Sequence, residues 1–411
     1  MKKIYKNIIG DSLYRNSSYL IASNILSTAL GFIFWALATR VFSTQDVGLG
    51  STLISSTDLV VAFALLGLNM GLVRYLPASD RKNDKINSVF VITSITSLIA
   101  SLIFVLGLRY ISPELVIIHD SLLVSVMFII FVVFLSLAES IKSIFRAYRS
   151  SQYVLIKNTI FNFLKIILII IFVNLGALGI FSSWLVSLVI SCIVSLIILT
   201  KKFNYEFKPI IKIDVTKKIF LYSFVNYVSE FLERAPKLAM PLIITSIAGP
   251  QNSAYYYIDM SIATFLFMLP EAIASSFFAE TSTNEAELAL NTKKALKAFC
   301  LVLIPAVIGI MFLGNYILLF FGKEYSTQGS ELLKLLSLST VFIAINALFS
   351  NIVRINGELK KLILINFLGA VTILGLSLIL INLSLVGIGW AWLIGNTLMS
   401  LFYLATSRYK S

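Results

Sequence analysis

Asn226, Glu230, Glu233 and Lys237 follow one another at spacings of four, three and four residues inside an apolar stretch. That spacing places them on one face of a helix, with Arg234 at its edge. It also sets Glu230 before Arg234, and Glu233 before Lys237, at i,i+4. Pro236 and Pro241 in the same stretch would free carbonyls and bend the helix, which a membrane tolerates where backbone lines a cavity. Charges in hydrocarbon are costly unless paired or hydrated, so such a cluster marks either a structural ion-pair network or the wall of a polar cavity. Both readings are open on the residues alone.

Further ionisable groups interrupt other apolar runs. Asp58 shares a face with Ala62, Leu65 and Asn69, which points it inward rather than at lipid. Lys165 either enters a cavity or snorkels its ammonium to the interface. Asp259 and Glu271 lie on one later stretch, with Pro270 preceding the second. Arg40 and Arg74 end two early stretches, where they would anchor the interface or meet an anionic head group. Asn24, Ser27, Thr28 and Gly31 form a small polar stripe that suits helix packing as well as ligand contact. Asp58, Glu230, Glu233, Asp259 and Glu271 are the candidates for charge balance or for a coupling ion.

Other chemistries lack their residues. Gly-Lys-Ser/Thr is absent, so the chain has no Walker A phosphate loop, and it has no HExxH or DxD-like carboxylate pair. Cys192 and Cys300 sit in apolar segments, and the single His119 reads as a solvent-facing loop residue. No metal, cofactor or enzymatic activity is expected.

The elements that must carry these groups are membrane spans. Of 411 residues 58% are hydrophobic and 13% charged, against about 25% charged in soluble domains. Apolar runs repeatedly reach the ~20 residues that a helix needs to cross a bilayer, and transmembrane β-barrels are excluded by their length. The reading is an all-α polytopic membrane protein of about 12 spans. They fall at 17–41, 48–73, 87–110, 118–140, 154–174 and 178–200, then at 218–247, 253–279, 294–316, 331–353, 360–382 and 386–406. The chain divides into a bundle over 1–200, a basic linker over 201–217 and a bundle over 218–411. The first apolar stretch is too long for a cleaved signal peptide. With a cytoplasmic N-terminus, the inside loops collect nearly every Lys and Arg outside the spans, and the outside loops hold only Arg40, Arg109 and Lys323. By the positive-inside rule both termini are then cytoplasmic. The net charge of +13 is thus accounted for by topology, without nucleic acid as a partner.

The two bundles are related in sequence. Arg146, Asn158, Asn174, Leu175, Gly179 and Trp184 recur 208 positions later as Arg354, Asn366, Asn382, Leu383, Gly387 and Trp392. Six spans return a chain to the same side, so the halves are parallel repeats. Near the start of each half the offset is 206, where Glu230, Glu233, Arg234 and Lys237 stand opposite Asn24, Ser27, Thr28 and Gly31. The echoing residues read as scaffold and the mismatch as function.

Three segments carry a family resemblance: Ala38-Thr39-Arg40-Val41-Phe42-Ser43-Thr44-Gln45-Asp46-Val47-Gly48, Gly67-Leu68-Asn69-Met70-Gly71-Leu72-Val73-Arg74-Tyr75 and Phe145-Arg146-Ala147-Tyr148-Arg149. With twelve spans in two six-helix bundles, the chain resembles the polysaccharide-biosynthesis flippases of the multidrug/oligosaccharidyl-lipid/polysaccharide (MOP) superfamily. The resemblance covers the whole chain, although its motifs are diffuse and the Glu-rich seventh span departs from a purely cationic cavity. It implies movement of a lipid-linked oligosaccharide from the cytoplasmic to the outer leaflet of the cell membrane. The sugars and (pyro)phosphate would cross a hydrated groove by alternating access. Arg40, Arg74, Lys165, Arg234 and Lys237 would compensate the phosphate. Membrane lipids and glycan polymerases or glycosyltransferases are the implied partners. The alternatives are a cation-coupled drug antiporter of the same superfamily (MATE type), which needs an acidic cavity, and a scaffold for glycan enzymes.

Overall fold

The computed structural model describes residues 12–115, 118, 120–282 and 287–406. The expectations for His119, for Lys2, Lys3 and Lys6, for Arg408 and Lys410, and for the side chains of Arg109, Lys217 and Lys218 lie outside what is described. Among the described residues the regular structure is helical, without a strand. In chain order come α1 (Ser12–Val41), α2 (Thr44–Ala64), α3 (Leu68–Tyr75), α4 (Lys82–Ile111), α5 (Leu122–Ala147), α6 (Gln152–Ile171) and α7 (Ala177–Phe203). There follow α8 (Ile213–Ala248), α9 (Pro250–Thr281), α10 (Leu288–Leu319), α11 (Lys323–Ile355), α12 (Leu359–Leu380) and α13 (Ser384–Thr406). Among the described residues ten stretches are long and apolar enough to cross a membrane, and the last of them, Leu359–Thr406, contains both α12 and α13.

The second span is not the continuous helix expected over 48–73. Leu66 (φ 49°) and Gly67 (φ 74°) are both left-handed and separate α2 from α3. Two such residues in a row interrupt the i to i−4 ladder. A Cβ at Gly67 would lie 2.7 Å from that of Tyr227 and 2.9 Å from the Ser223 carbonyl oxygen, so a close backbone approach fixes the break where glycine stands. By contrast, α8 remains helical through Pro236 and Pro241.

The chain divides into two compact units, Met1–Tyr227 and Val228–Ser411. In the first, α6 packs on α1 and α7, while α5 packs on α2, α4 and α7. In the second, α12 packs on α13, while α11 packs on α9, α10 and α13. Each pairing in the second unit has its counterpart in the first.

The equivalence extends to single bonds. Asn158 donates to Ser23 Oγ at 3.0 Å, and Asn366 to Ser229 Oγ at 3.1 Å. Cys192 Sγ donates to the Phe134 carbonyl at 3.5 Å, and Ser400 Oγ to that of Phe342 at 3.2 Å. Ile141, Ile144, Phe145 and Val154 in one core are matched by Phe349, Ile352, Val353 and Leu362 in the other. Many large apolar side chains, such as Ile103, Phe163, Phe312 and Ile379, point outward, while Ser51, Ser136, Ser183, Ser187 and Ser339 are buried. An apolar exterior around a small, hydroxyl-bearing interior is the arrangement that lipid selects.

Candidate functional site

A cavity of about 570 Å³ opens in the second unit, walled by α8, α9, α11, α12 and α13. One side is charged. Glu230, Glu233, Arg234 and Lys237 reach it from α8, as their helical spacing predicts, and Glu271 reaches it from α9. Arg354, from the end of α11, completes the set. Arg234 Nη1 lies 3.5 Å from Glu230 Oε1, and Lys237 donates to Thr264 Oγ1 at 2.9 Å. Glu233 feels the charges of Arg354, Glu271, Glu230 and Arg234, and Glu271 those of Lys237, Arg234 and Glu230. The six groups therefore act as one network. Among the described residues the lining holds three carboxylates against three cations, so its formal charge is zero.

The other side is uncharged but polar. Asn346 donates to Asn396 Oδ1 at 3.3 Å and to the Asn396 carbonyl at 3.2 Å, while its own Oδ1 accepts from Ser400 at 2.8 Å. Asn366 donates to Ser229 and accepts from the Tyr403 hydroxyl at 3.2 Å. The Trp392 ring closes this side, with Phe267 stacked on it at 6.4 Å. Because each amide is held by its neighbours, the polar wall is preorganised. Trp392, Asn396 and Tyr403 recur along α13 at spacings of four and seven, which puts them on one face. At ~1.5 Å per residue, the eleven positions from Trp392 to Tyr403 separate the ends of this wall by about 16 Å.

The remaining candidates lie elsewhere. Asp259 belongs to the second unit but not to the cavity wall. It is 1% exposed, and neither carboxyl oxygen has a hydrogen-bond partner. It packs so closely on α11 that a Cβ at Gly329 would lie 2.6 Å from both oxygens. In the first unit, Arg40 is exposed at the end of α1, and Asp58 is half-buried on α2. Arg74 ends α3 with its guanidinium 5.8 Å from the Tyr75 ring centre.

Lys165 does not snorkel to an interface. It is 3% exposed, and its Nζ lies 4.2 Å from the Trp184 ring centre and 5.0 Å from those of Phe34 and Phe161. Three ring faces hold the ammonium by cation–π attraction.

Arg354, Asn366 and Trp392, which read as scaffold from the repeat, line the cavity. Asn346 and Asn396 join them, and uncharged amides do not stand out by type in an apolar helix. A signal was present in the repeat: 208 positions earlier stand Ala138 and Leu188.

The model of a family described as polysaccharide biosynthesis protein matches residues 13–279. An uncharacterized membrane protein of Methanocaldococcus jannaschii is 24% identical over 389 residues, covering 90% of this chain and 92% of that one. Among solved structures, the lipid II flippase MurJ in an inward closed conformation superposes with a TM-score of 0.75 at 16% identity, covering 94% of this chain and 87% of that one. An inward-facing multidrug resistance MATE family transporter of the MOP superfamily gives 0.70 at 16% identity, covering 92% and 93%. At these identities the structural likeness is one of fold.

Proposed function

We propose that this chain, which belongs to the polysaccharide biosynthesis protein family, is a flippase for a lipid-linked oligosaccharide. It would move its substrate from the cytoplasmic to the outer leaflet of the cell membrane by alternating access. The observation that carries the reading is the charged network on the cavity wall of the second unit. Six ionisable groups kept inside a membrane bundle are costly unless a hydrated, polar head group uses them. The guanidinium and ammonium groups of Arg234, Lys237 and Arg354 suit phosphate oxygens, and a low local dielectric strengthens the pairing. Arg40, Arg74 and Lys165 supply further cations in the first unit. The concentration of Lys and Arg in the inner loops supports cytoplasmic termini.

A drug or organic-cation antiporter would require an acidic cavity. The balance of Glu230, Glu233 and Glu271 by Arg234, Lys237 and Arg354 argues against that. The test is reconstitution into proteoliposomes with a fluorescent polyprenyl diphosphate oligosaccharide, read by accessibility of the glycan from each side. The Arg74→Ala, Lys237→Ala double variant should insert normally and fail to translocate. Undiminished translocation by that variant would overturn the assignment of these cations.

A further inference from the structure

The cavity in the second unit is zoned, and the zones call for different ligand chemistry. The ionic network is built from α8 with Glu271 of α9 and Arg354 at the end of α11; a second zone is built from an amide pair, Asn346 of α11 and Asn396 of α13, with the Trp392 ring on the same helix as Asn396. We infer that this second zone is a saccharide subsite, which takes the uncharged, hydroxyl-bearing part of a head group while the charged zone takes its phosphate. The inference rests on the flippase reading and divides its substrate between two named surfaces.

Three observations carry it. First, the fold does not need the amides. The first unit also packs its equivalent helices, α5 and α7, on each other, though less extensively, with Ala138 and Leu188 at the matching positions. Yet Asn346 is 8% exposed and Asn396 6% exposed in a membrane bundle, where an amide without a use is a liability. Second, the six formal charges balance within the ionic zone, so the cavity has no net charge by which to hold a ligand in its polar zone, although Arg234, Lys237 and Arg354 can still pair locally with phosphate oxygens. What remains is directional hydrogen bonding, and that distinguishes hydroxyl-rich ligands.

Third, the repeat fills the corresponding place in the first unit from within. Trp184 there carries the Lys165 ammonium at 4.2 Å. The residue equivalent to Lys165 is Ile373, which lines the cavity beside Trp392. Trp184 thus carries a charged side chain of its own unit, whereas Trp392, with Phe267 stacked on it, carries no such cation among the described residues and borders the cavity. An aromatic ring flanked by fixed amides suits a pyranose, whose C–H face packs on the ring while its hydroxyls meet the amides.

Binding to the purified full-length protein in nanodiscs tests this, with N,N′-diacetylchitobiose and maltose as uncharged probes and inorganic pyrophosphate as the anionic one. At least one disaccharide should bind. The Asn346→Ala, Asn396→Leu variant, which installs the residues of the first unit, should weaken it tenfold or more and leave pyrophosphate binding within twofold. The Arg234→Gln, Lys237→Gln variant should do the reverse. Asn396→Gln, which keeps the amide but displaces it, gives a second reading should the double variant prove unstable, and it too should weaken the disaccharide. Absence of binding by both disaccharides up to 50 mM overturns the inference, as does equal loss of sugar and pyrophosphate in either double variant. Translocation in proteoliposomes separates the two levels. If wild type flips a lipid-linked oligosaccharide while the disaccharide results fail, the subsite is wrong and the flippase stands. If wild type flips no such lipid, the flippase reading falls, whatever the disaccharides do.

Discussion

The ammonium of Lys165 lies 4.2 Å from the centre of the Trp184 ring, and Phe34 and Phe161 close the cage around it. Ring faces stabilise a cation without neutralising it, by about 2 kcal/mol or more when desolvated. Desolvating an unpaired charge costs several kcal/mol, so the cage is not a net source of stability. Lys165→Met keeps the length of the stem and removes the charge. It should leave the melting temperature of the solubilised protein unchanged or raised, while translocation falls. Lys165→Glu should lower the melting temperature, because the ring faces repel a carboxylate. Equal destabilisation by both would show that the ammonium serves the fold and not the substrate.

Asn158 and Asn366 make the same bond in the two units, but they do not carry the same load. Asn158 donates to Ser23, whereas Asn366 donates to Ser229 and also accepts from Tyr403. Asn366→Ala should therefore cost more stability than Asn158→Ala, by about one hydrogen bond or ~1 kcal/mol. A double-mutant cycle between Asn366→Ala and Ser229→Ala should return a coupling of about 0.6 kcal/mol, the usual scale for such bonds in membranes. Thermal or denaturant unfolding in detergent measures both. Equal costs for the two alanine variants would show that the Tyr403 bond adds nothing.

Glycines along the chain differ in the room an added methyl would find. A Cβ at Gly179 would meet the Phe172 carbonyl oxygen, and one at Gly387 that of Leu380, both inside van der Waals distance. Each glycine opens a helix that follows a tight 3₁₀ turn, so the backbone itself would have to move. Gly179→Ala and Gly387→Ala should each destabilise by about 1–3 kcal/mol or more. At Gly31 nothing lies within 4 Å of the added methyl. Gly31→Ala, inside helix α1, should be neutral or stabilising by about 0.5–1 kcal/mol. Melting temperatures of the three variants decide the matter, and uniform behaviour would refute the steric account.

Much of the scaffold was legible, because bilayer thickness sets helix length and the repeat sets helix equivalence. The charged face of α8 was legible for the same reason, since its period is that of the helix. The break between α2 and α3 was not. Leu66 is left-handed because the chain packs Gly67 against Tyr227 and Ser223, a contact 160 residues away in sequence. Nor did residue type reveal which charges share a wall. Asp259 and Glu271 lie on one helix, yet only the second lines the cavity. Twelve positions correspond to more than three helical turns, and a bundle with a cavity on one side gives those turns different neighbours.

The connector after α7 is strapped to the start of α4, and the strap should respond to pH. Asn87 accepts from the Tyr205 hydroxyl at 2.6 Å and from the Lys208 amide at 3.1 Å, and donates to the Glu206 carbonyl at 2.9 Å. Ser88 adds two bonds, to the Ile210 carbonyl at 3.3 Å and from the Lys212 amide at 2.9 Å. The Tyr205 ring is buried edge-on to Phe90, and burial pushes its phenol up from the usual value. An acid whose folded pKa is raised contributes stability that is complete below its unfolded pKa, about 10, and is lost as pH rises through the folded value. The segment 204–212 should therefore resist limited proteolysis up to about pH 10 and become cleavable above it. Tyr205→Phe retains the ring but has no proton to lose; it should be somewhat more susceptible throughout, with no step at alkaline pH. Asn87→Ala removes three bonds at once and should expose the segment at neutral pH. An alkaline step that persists in Tyr205→Phe would assign the titration to another group.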